Sequence, residues 1–328
     1  MKVAAAGVRS VIAGIALGFA LMAGFAGADQ PAKIPRIGVL FPADVGSPME
    51  QGLRQGLRDH GYSEGVNITI EWRRSAETTQ ELKALATDLT RSGVDLIVLF
   101  SAPAARAALE VTTVPVVVLA GDPVAAGLAA SLARPAGNST GVSLMTTELT
   151  AKRLELLHQM APRARRIVVL VNTSNQTGPP QLDEAKRGAA VLGLKLLPSD
   201  ARNAAELDAA LHRLNRGSAD AVLVTGDLFL MSNRTKIARA VRSARLPAIY
   251  PNRRYHDEGA LMSYGPDVKE AARRLASFVD RILKGAKPGD LPFEQVAKFE
   301  MVVNLNTAKA LGITIPQSIL VRADEVIR

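Results

Sequence analysis

The sequence has no cysteine. That excludes a disulfide scaffold, a thiolate metal site, a cysteine nucleophile and a lipid-modified N-terminal cysteine. Histidine is scarce as well. His60, His158, His212 and His256 are the only four, and none lies within four residues of another. No zinc-binding pair is offered, and His-Glu-x-x-His is absent. Aromatic residues are 4% of the chain and do not interleave with the basic ones, which argues against a nucleic-acid face. No block of five or more like charges occurs. No phosphate loop is present, and no Gly-x-Gly-x-x-Gly follows the first strand-like run, so a nucleotide enzyme is disfavoured.

What is present is apolar bulk. Of 328 residues, 48% are hydrophobic, ample for a packed core and long enough for two domains of ordinary size. Lys plus Arg outnumber Asp plus Glu by 40 to 31. The excess is spread singly or in pairs such as Arg73-Arg74, Arg165-Arg166, Arg253-Arg254 and Arg273-Arg274, which reads as a solvated basic surface.

Residues 1–28 have the three parts of a secretory signal. Lys2 and Arg9 supply the positive start, Val11 to Phe25 is apolar and uncharged, and Ala26-Gly27-Ala28 is a small-residue cleavage site. The alternative, a retained anchor, is disfavoured because the apolar run is shorter than the ~20 residues that span a bilayer. The expectation is an exported protein cut near Asp29, held in a Gram-negative periplasm.

Beyond residue 33, short apolar runs alternate with helical spacing. Ile37 to Phe41 reads as a buried parallel strand, followed by a helix over Ser47 to His60 with Met49, Leu53 and Leu57 on one face. Asn67 to Trp72, Asp95 to Phe100 and Pro115 to Leu119 read as further strands, with a helix over Thr78 to Arg91 between the first two. The pattern restarts after Leu144. Helices are expected over Leu149–Met160, Gln181–Leu192, Asn203–Arg216 and Ser232–Ala244, and strands over Arg166–Val171, Lys195–Pro198, Ala221–Val224 and Pro247–Tyr250. A strand over Ala260–Tyr264, a helix over Val268–Lys284 and a strand over Phe299–Asn304 follow. Two such series predict two doubly wound, Rossmann-like α/β lobes. A tail that returns after both lobes suggests several crossovers between them.

In parallel α/β sheets ligands bind beyond the carboxyl ends of the strands, where helix N-termini present free N–H groups. The residues at those ends are the candidate ligand contacts: Phe41, Ser101, Ala102, Asp122, Asn172, Ser174, Asn175, Asp227, Asn252 and Tyr264. Each has a plainer alternative. Ser101 also suits a helix cap, Asp122 before Pro123 a turn, and Asn172 to Asn175 a capping loop. Asp227 suits either a helix start or the binding of an ammonium group. Tyr264 could stack on a ligand or fill a hinge. Trp72, the single tryptophan, reads as packing.

Longer stretches resemble a known family. They include Gln51-Gly52-Leu53-Arg54-Gln55-Gly56-Leu57-Arg58-Asp59-His60-Gly61-Tyr62, Gly121-Asp122-Pro123-Val124, Leu132-Ala133-Arg134-Pro135 with Asn138-Ser139-Thr140-Gly141, and Lys152-Arg153-Leu154-Glu155-Leu156-Leu157. Leu246 to Tyr250, Gly259 to Pro266, Ile282 to Pro288 and Thr307 to Gly312 also fit. The chain resembles the ABC-transporter substrate-binding protein family that includes tryptophan- and tyrosine-type binding proteins. The resemblance implies a type I periplasmic-binding-protein fold with a multi-segment hinge. On that plan residues 33–142 and 260–287 form one lobe, and 143–259 and 288–328 the other. It also implies that a hydroxyl-bearing loop at Ser101 and the acid at Asp227 hold the polar ends of a ligand. The pattern departs where the family's Thr-Asp-Pro becomes Gly121-Asp122-Pro123 and the amino-acid binders' Thr-Asp-Asn becomes Gly226-Asp227-Leu228.

The reading is therefore a monomeric, non-enzymatic solute-binding protein. It captures a small polar or amphipathic ligand, with an amino-acid-like molecule as one candidate, and delivers it to an ABC permease in the inner membrane. No cofactor, metal or nucleic acid is expected. The alternatives are a ligand-sensing module for a sensor or regulator, or an exported enzyme using Asp122, Asp227 or His256.

Overall fold

The computed structural model describes residues 33–42, 46–75, 78–135 and 137–328, so the signal-like segment over 1–28 lies outside the described residues. The first series comprises β1 (Arg36–Pro42), α1 (Gly46–Asp59), β2 (Thr69–Ser75), α2 (Thr79–Arg91), β3 (Leu96–Leu99), α3 (Ala102–Leu109), β4 (Val116–Ala120) and β5 (Ser139–Ser143). The second comprises α4 (Glu148–Met160), β6 (Arg166–Val171), α5 (Gly178–Leu192), β7 (Lys195–Asp200), α6 (Ala204–His212), β8 (Ala221–Val224), α7 (Leu228–Ser232), α8 (Arg234–Ser243), β9 (Ala248–Tyr250) and β10 (Met262–Pro266). The chain ends with α9 (Val268–Leu283), β11 (Glu294–Gln295), β12 (Phe299–Asn304), α10 (Leu305–Leu311), α11 (Gln317–Leu320) and β13 (Glu325–Ile327).

Two sheets result. One has the order β11-β5-β4-β3-β1-β2, the other β13-β12-β10-β9-β8-β6-β7. Every pairing is parallel except β10 with β12. The first sheet carries one apolar cluster with α1 and α9 and another with α2 and α3. The second is likewise covered on both faces. Strands buried on both sides need unbroken apolar runs rather than alternation, and β3, β4 and β8 are buried at every residue.

The two sheets are also built alike in detail. Asp95 precedes β3 and accepts the Arg36 N–H at 2.8 Å, tying its strand's start to that of β1. Asp220 precedes β8 and accepts the Arg166 N–H at 2.8 Å, tying it to β6 in the same manner. The Arg166 guanidinium adds a contact at 2.8 Å. With burial opposing, that side chain and the Arg165 and Arg166 N–H groups hold the Asp220 carboxyl down at about 2.

Two helices depart from the expected spans. The helix read over Asn203–Arg216 stops at His212, because Asn215 turns the chain by accepting the Gly217 and Ser218 N–H groups. The helix read over Ser232–Ala244 is two helices, divided at Asn233.

The chain crosses between the sheets after β5, at Asp267 and after β11. The expected boundaries at 259/260 and 287/288 are therefore displaced. β10 pairs with β9 and β12 inside the second sheet, and β11 returns to β5 in the first. β10 thus joins the strand that directly precedes it, whereas the partner of β11 is remote in sequence and no local signal announces which sheet receives it. The last two crossings are joined: the Asp267 N–H donates to the Lys298 carbonyl at 3.0 Å, and Lys298 Nζ donates to Asp267 at 2.8 Å. Asp267 also caps α9 by accepting the Lys269 and Glu270 N–H groups. No described helix is long and apolar enough to cross a membrane.

The returning helix α9 is seated on α1 through Gly52 and Gly56, four residues apart on one face. A Cβ at Gly52 would collide with the Lys269 carbonyl, and one at Gly56 with the Arg273 carbonyl. Backbone cannot yield as a flexible side chain does, so the helices would have to separate. Gly56→Ala is expected to destabilise the protein by about 2–3 kcal/mol. Urea unfolding checks this, and an unchanged midpoint would contradict the close approach.

Candidate functional site

The carboxyl ends of both sheets border one cavity of about 120 Å³. An apolar cavity of about 150 Å³ is enough to hold a benzene ring. From the first sheet come Phe100 and Ser101 after β3, Leu119 and Gly121 at the end of β4, and Leu144 after β5. From the second come Asn175 after β6, Gly226 and Asp227 after β8, Pro251 and Asn252 after β9, and Pro266 closing β10. Thr146 and Val268 flank the crossings, and Arg153 enters from α4. The wall is mostly apolar, and among the described residues Arg153 and Asp227 are the charged ones on it.

Five of the ten sequence candidates are on this wall: Ser101, Ala102, Asn175, Asp227 and Asn252. Their capping alternatives hold at the same time. Ser101 Oγ accepts the Ala104 N–H at 3.1 Å, and Asn252 Oδ1 accepts the Arg254 N–H at 2.9 Å. Asp227 caps α7, accepting the Leu230 N–H at 2.9 Å. It also accepts Asn175 Nδ2 at 2.7 Å, while Asn172 Nδ2 reaches its two oxygens at 3.3 and 3.4 Å. Gln181 fixes the preceding residue, accepting the Gly226 N–H at 2.8 Å and donating to its carbonyl at 2.9 Å. Burial pushes the Asp227 carboxyl up, against the lowering effect of its donors.

The other five are off the wall. Phe41 is fully buried between Phe100 and Trp72, with ring centroids at 4.5 and 6.4 Å. Asp122 is occupied by the Ala125 N–H at 3.0 Å and the Thr147 hydroxyl at 2.7 Å. Asn172 accepts Ser174 Oγ at 2.6 Å, so these two support the Asp227 loop from behind. The Tyr264 ring packs beside Phe299 with centroids 6.0 Å apart. Trp72 packs as expected, with the Arg54 guanidinium 4.4 Å above its ring. His256 is bonded through Nε2 to Ser263 Oγ at 3.0 Å and does not line the cavity. Gly137 to Gly141 has Gly-x-Ser-x-Gly spacing. Ser139 is buried in β5 and donates to the Leu128 carbonyl at 3.3 Å, so it is not an exposed nucleophile. No group of His, Asp and Glu that could hold a metal occurs among the described residues.

Two wall residues were not singled out from the sequence. Arg153 is completely buried. Its Nε donates to the Tyr264 carbonyl at 2.7 Å, while Nη1 and Nη2 have no partner among the described residues. Burial pushes it down to about 10, so it still carries its charge at neutral pH. A signal existed in the helix spacing: Arg153 interrupts the buried stripe of Leu149, Leu156, Leu157 and Met160. Thr146 is the second, with a buried Oγ1 that also lacks a partner. It fills the space vacated at the two unexpected glycines. A Cβ at Gly121 would lie 2.9 Å from Thr146 Oγ1, and one at Gly226 3.1 Å from its Cγ2.

The profile of the family described as ABC transporter substrate binding protein matches residues 39–327. The tyrosine-binding protein of Clostridioides difficile strain R20291 is 28% identical over 264 residues, 80% of this chain and 76% of that one. The ABC domain of Streptococcus pneumonia in complex with L-Trp is 26% identical, covering 89% of this chain and 99% of that one, with a TM-score of 0.82. A ligand-free, open substrate binding protein with adhesive properties from Clostridium difficile is 25% identical over 90% of this chain and 99% of that one, with a TM-score of 0.67. Ribose-repressor and LacI-type proteins at 12 to 20% identity have TM-scores of 0.56 to 0.57 and share the fold alone.

Asp227 generates a pH prediction. Its folded pKa lies above 3.8, so the folded state binds the proton more tightly than the unfolded state. Stability from this group is greatest below 3.8 and declines as pH rises through the folded pKa. Wild type should therefore lose stability relative to Asp227→Asn across that interval and run parallel to it above. Urea titrations of both proteins from pH 3.5 to 8 check the sign. An opposite slope would contradict the burial.

Proposed function

The chain belongs to the ABC transporter substrate binding protein family, and on that premise we propose that its ligand is an aromatic amino acid or a closely similar amphipathic molecule. The observation that carries this reading is the wall itself, apolar from both sheets with a few polar groups at its ends. Such a surface removes an apolar ligand body from water and orients its polar end. The Trp complex and the tyrosine-binding relative support the ligand class. An ammonium group on the ligand would meet Asp227.

Capture follows a hinge equilibrium. Ligand contacts to residues of both sheets favour the closed form over the open one, by no more than the difference in their affinities. The three crossings supply the hinge, with Asp267 and Lys298 linking two of them. The higher TM-score to the L-Trp complex than to the ligand-free, open relative, at similar identity, supports a closed arrangement. The closed form is then read by an ABC permease, and capture takes place in the periplasm. No bond in the ligand is made or broken.

A ligand panel tests the reading by thermal unfolding and calorimetry. L-tryptophan, L-tyrosine and L-phenylalanine should raise the melting temperature, and hexoses and pentoses should not. At a hundredfold excess over Kd, binding adds about 2.7 kcal/mol of stability. A response to sugars alone would overturn the ligand class.

A further inference from the structure

We propose that Arg153 is the carboxylate anchor of the ligand, and that the solute taken by this protein is an apolar-bodied molecule bearing a single carboxylate. This rests on the cleft reading above and names the end of the ligand that the cleft is built to hold.

The argument begins with a cost. An arginine has five N–H donors, and a buried charge without a partner costs several kcal/mol. Arg153 spends one donor, Nε, on the Tyr264 carbonyl. The four N–H bonds on Nη1 and Nη2 have no acceptor among the described residues. The side chain is nonetheless fully buried, and it lines the interlobe cavity. No carboxylate pairs with it. Asp227, the other charged wall residue, is engaged by Asn172, Asn175 and the Leu230 N–H.

A guanidinium held at Nε presents its remaining edge as a planar fork, the shape that matches a carboxylate with two parallel N–H···O bonds. Thr146 Oγ1, buried on the same wall and unpaired, is available as a further donor. The charge count selects the class of anion. Among the described wall residues one cation is unpaired, and it neutralises one carboxylate, whereas a phosphate dianion would keep an unmatched charge beside Asp227. The α3 N-terminus does not make up that deficit, since Ser101 Oγ already takes the Ala104 N–H and Pro103 has none. The body of the ligand would then lie against Phe100, Leu119, Leu228 and Met231.

The arrangement also gives the anion a part in closure. Arg153 stands on α4 and is held by the last strand before the second crossing. Thr146 stands in the first crossing. A carboxylate bonded to both would link the second sheet's helix layer to the hinge, and it would offset the desolvation of the guanidinium.

The experiment pairs each acid with its uncharged amide. Wild type, Arg153→Met and Arg153→Lys are titrated with L-tryptophan, L-tyrosine, their carboxamides and the amine-free acid 3-phenylpropionate. Wild type is expected to bind an acid at least 100-fold more tightly than its amide. Arg153→Met should lose at least 100-fold for the acid and bind acid and amide within about threefold of each other. Arg153→Lys should recover part of the preference. The melting temperature of ligand-free Arg153→Met should equal or exceed that of wild type, since an unpaired buried charge is replaced by an apolar side chain; this also reports that the variant folds. Equal binding of acid and amide by wild type overturns the proposal, as does undiminished acid binding by Arg153→Met. So does a wild type that binds none of the carboxylates. If 3-phenylpropionate binds through Arg153 and the amino acids do not, the anchor stands and the amino-acid reading falls.

Discussion

A charge buried without a partner is the constraint around which the cleft is organised. The guanidinium of Arg153 sits in a wall of apolar side chains, held by one carbonyl and otherwise unpaired. Keeping it there requires that α4 lie under the exit of β10, that the Tyr264 carbonyl face inward, and that the surrounding strand ends exclude water. Each condition is met by elements far apart in the chain. The folded state accepts a local cost whose compensation comes from outside the protein, a common arrangement where a site must recognise an ion.

The rest of the architecture makes that cost tolerable. Two parallel sheets, each buried on both faces, supply the apolar core. Asp95 and Asp220 register the starts of neighbouring strands in the same way in both sheets, which aligns the opposite, carboxyl ends where the cavity-lining residues stand. The packing of α9 on Gly52 and Gly56 returns the chain to the first lobe after it has built the second. The two sheets are therefore joined by several strands of backbone rather than one linker.

Asp227 and Arg153 contrast as two ways of burying charge. Asp227 is supplied with donors by a helix start and two asparagines, so burial moves its pKa only against strong opposition. Arg153 has no such shell. The first is fixed in its loop at the cavity wall, while the second retains unspent hydrogen-bonding capacity. Glycine at 121 and 226 belongs to the same design, because it lets Thr146 stand between the ends of the two sheets.

The sequence by itself determined the elements and the region of the site. Unbroken runs such as Arg166–Val171 can only be strands of a covered sheet, and strand-end residues such as Ser101 and Asp227 fall at the cleft because parallel strands carry every carboxyl end to one edge. It determined the family as well, through motifs spread along the chain. Tertiary structure alone decided which sheet receives the strand at 294–295, since a pairing partner remote in sequence leaves no local trace. It also decided which strand-end residues face the ligand space. Phe41 and Asp122 stand at strand ends too, but one is enclosed by rings and the other by its own turn. Arg153 was visible only as a charge in an apolar stripe; that its Nη atoms find no acceptor depends on every group packed around it, and that is a property of the assembled fold.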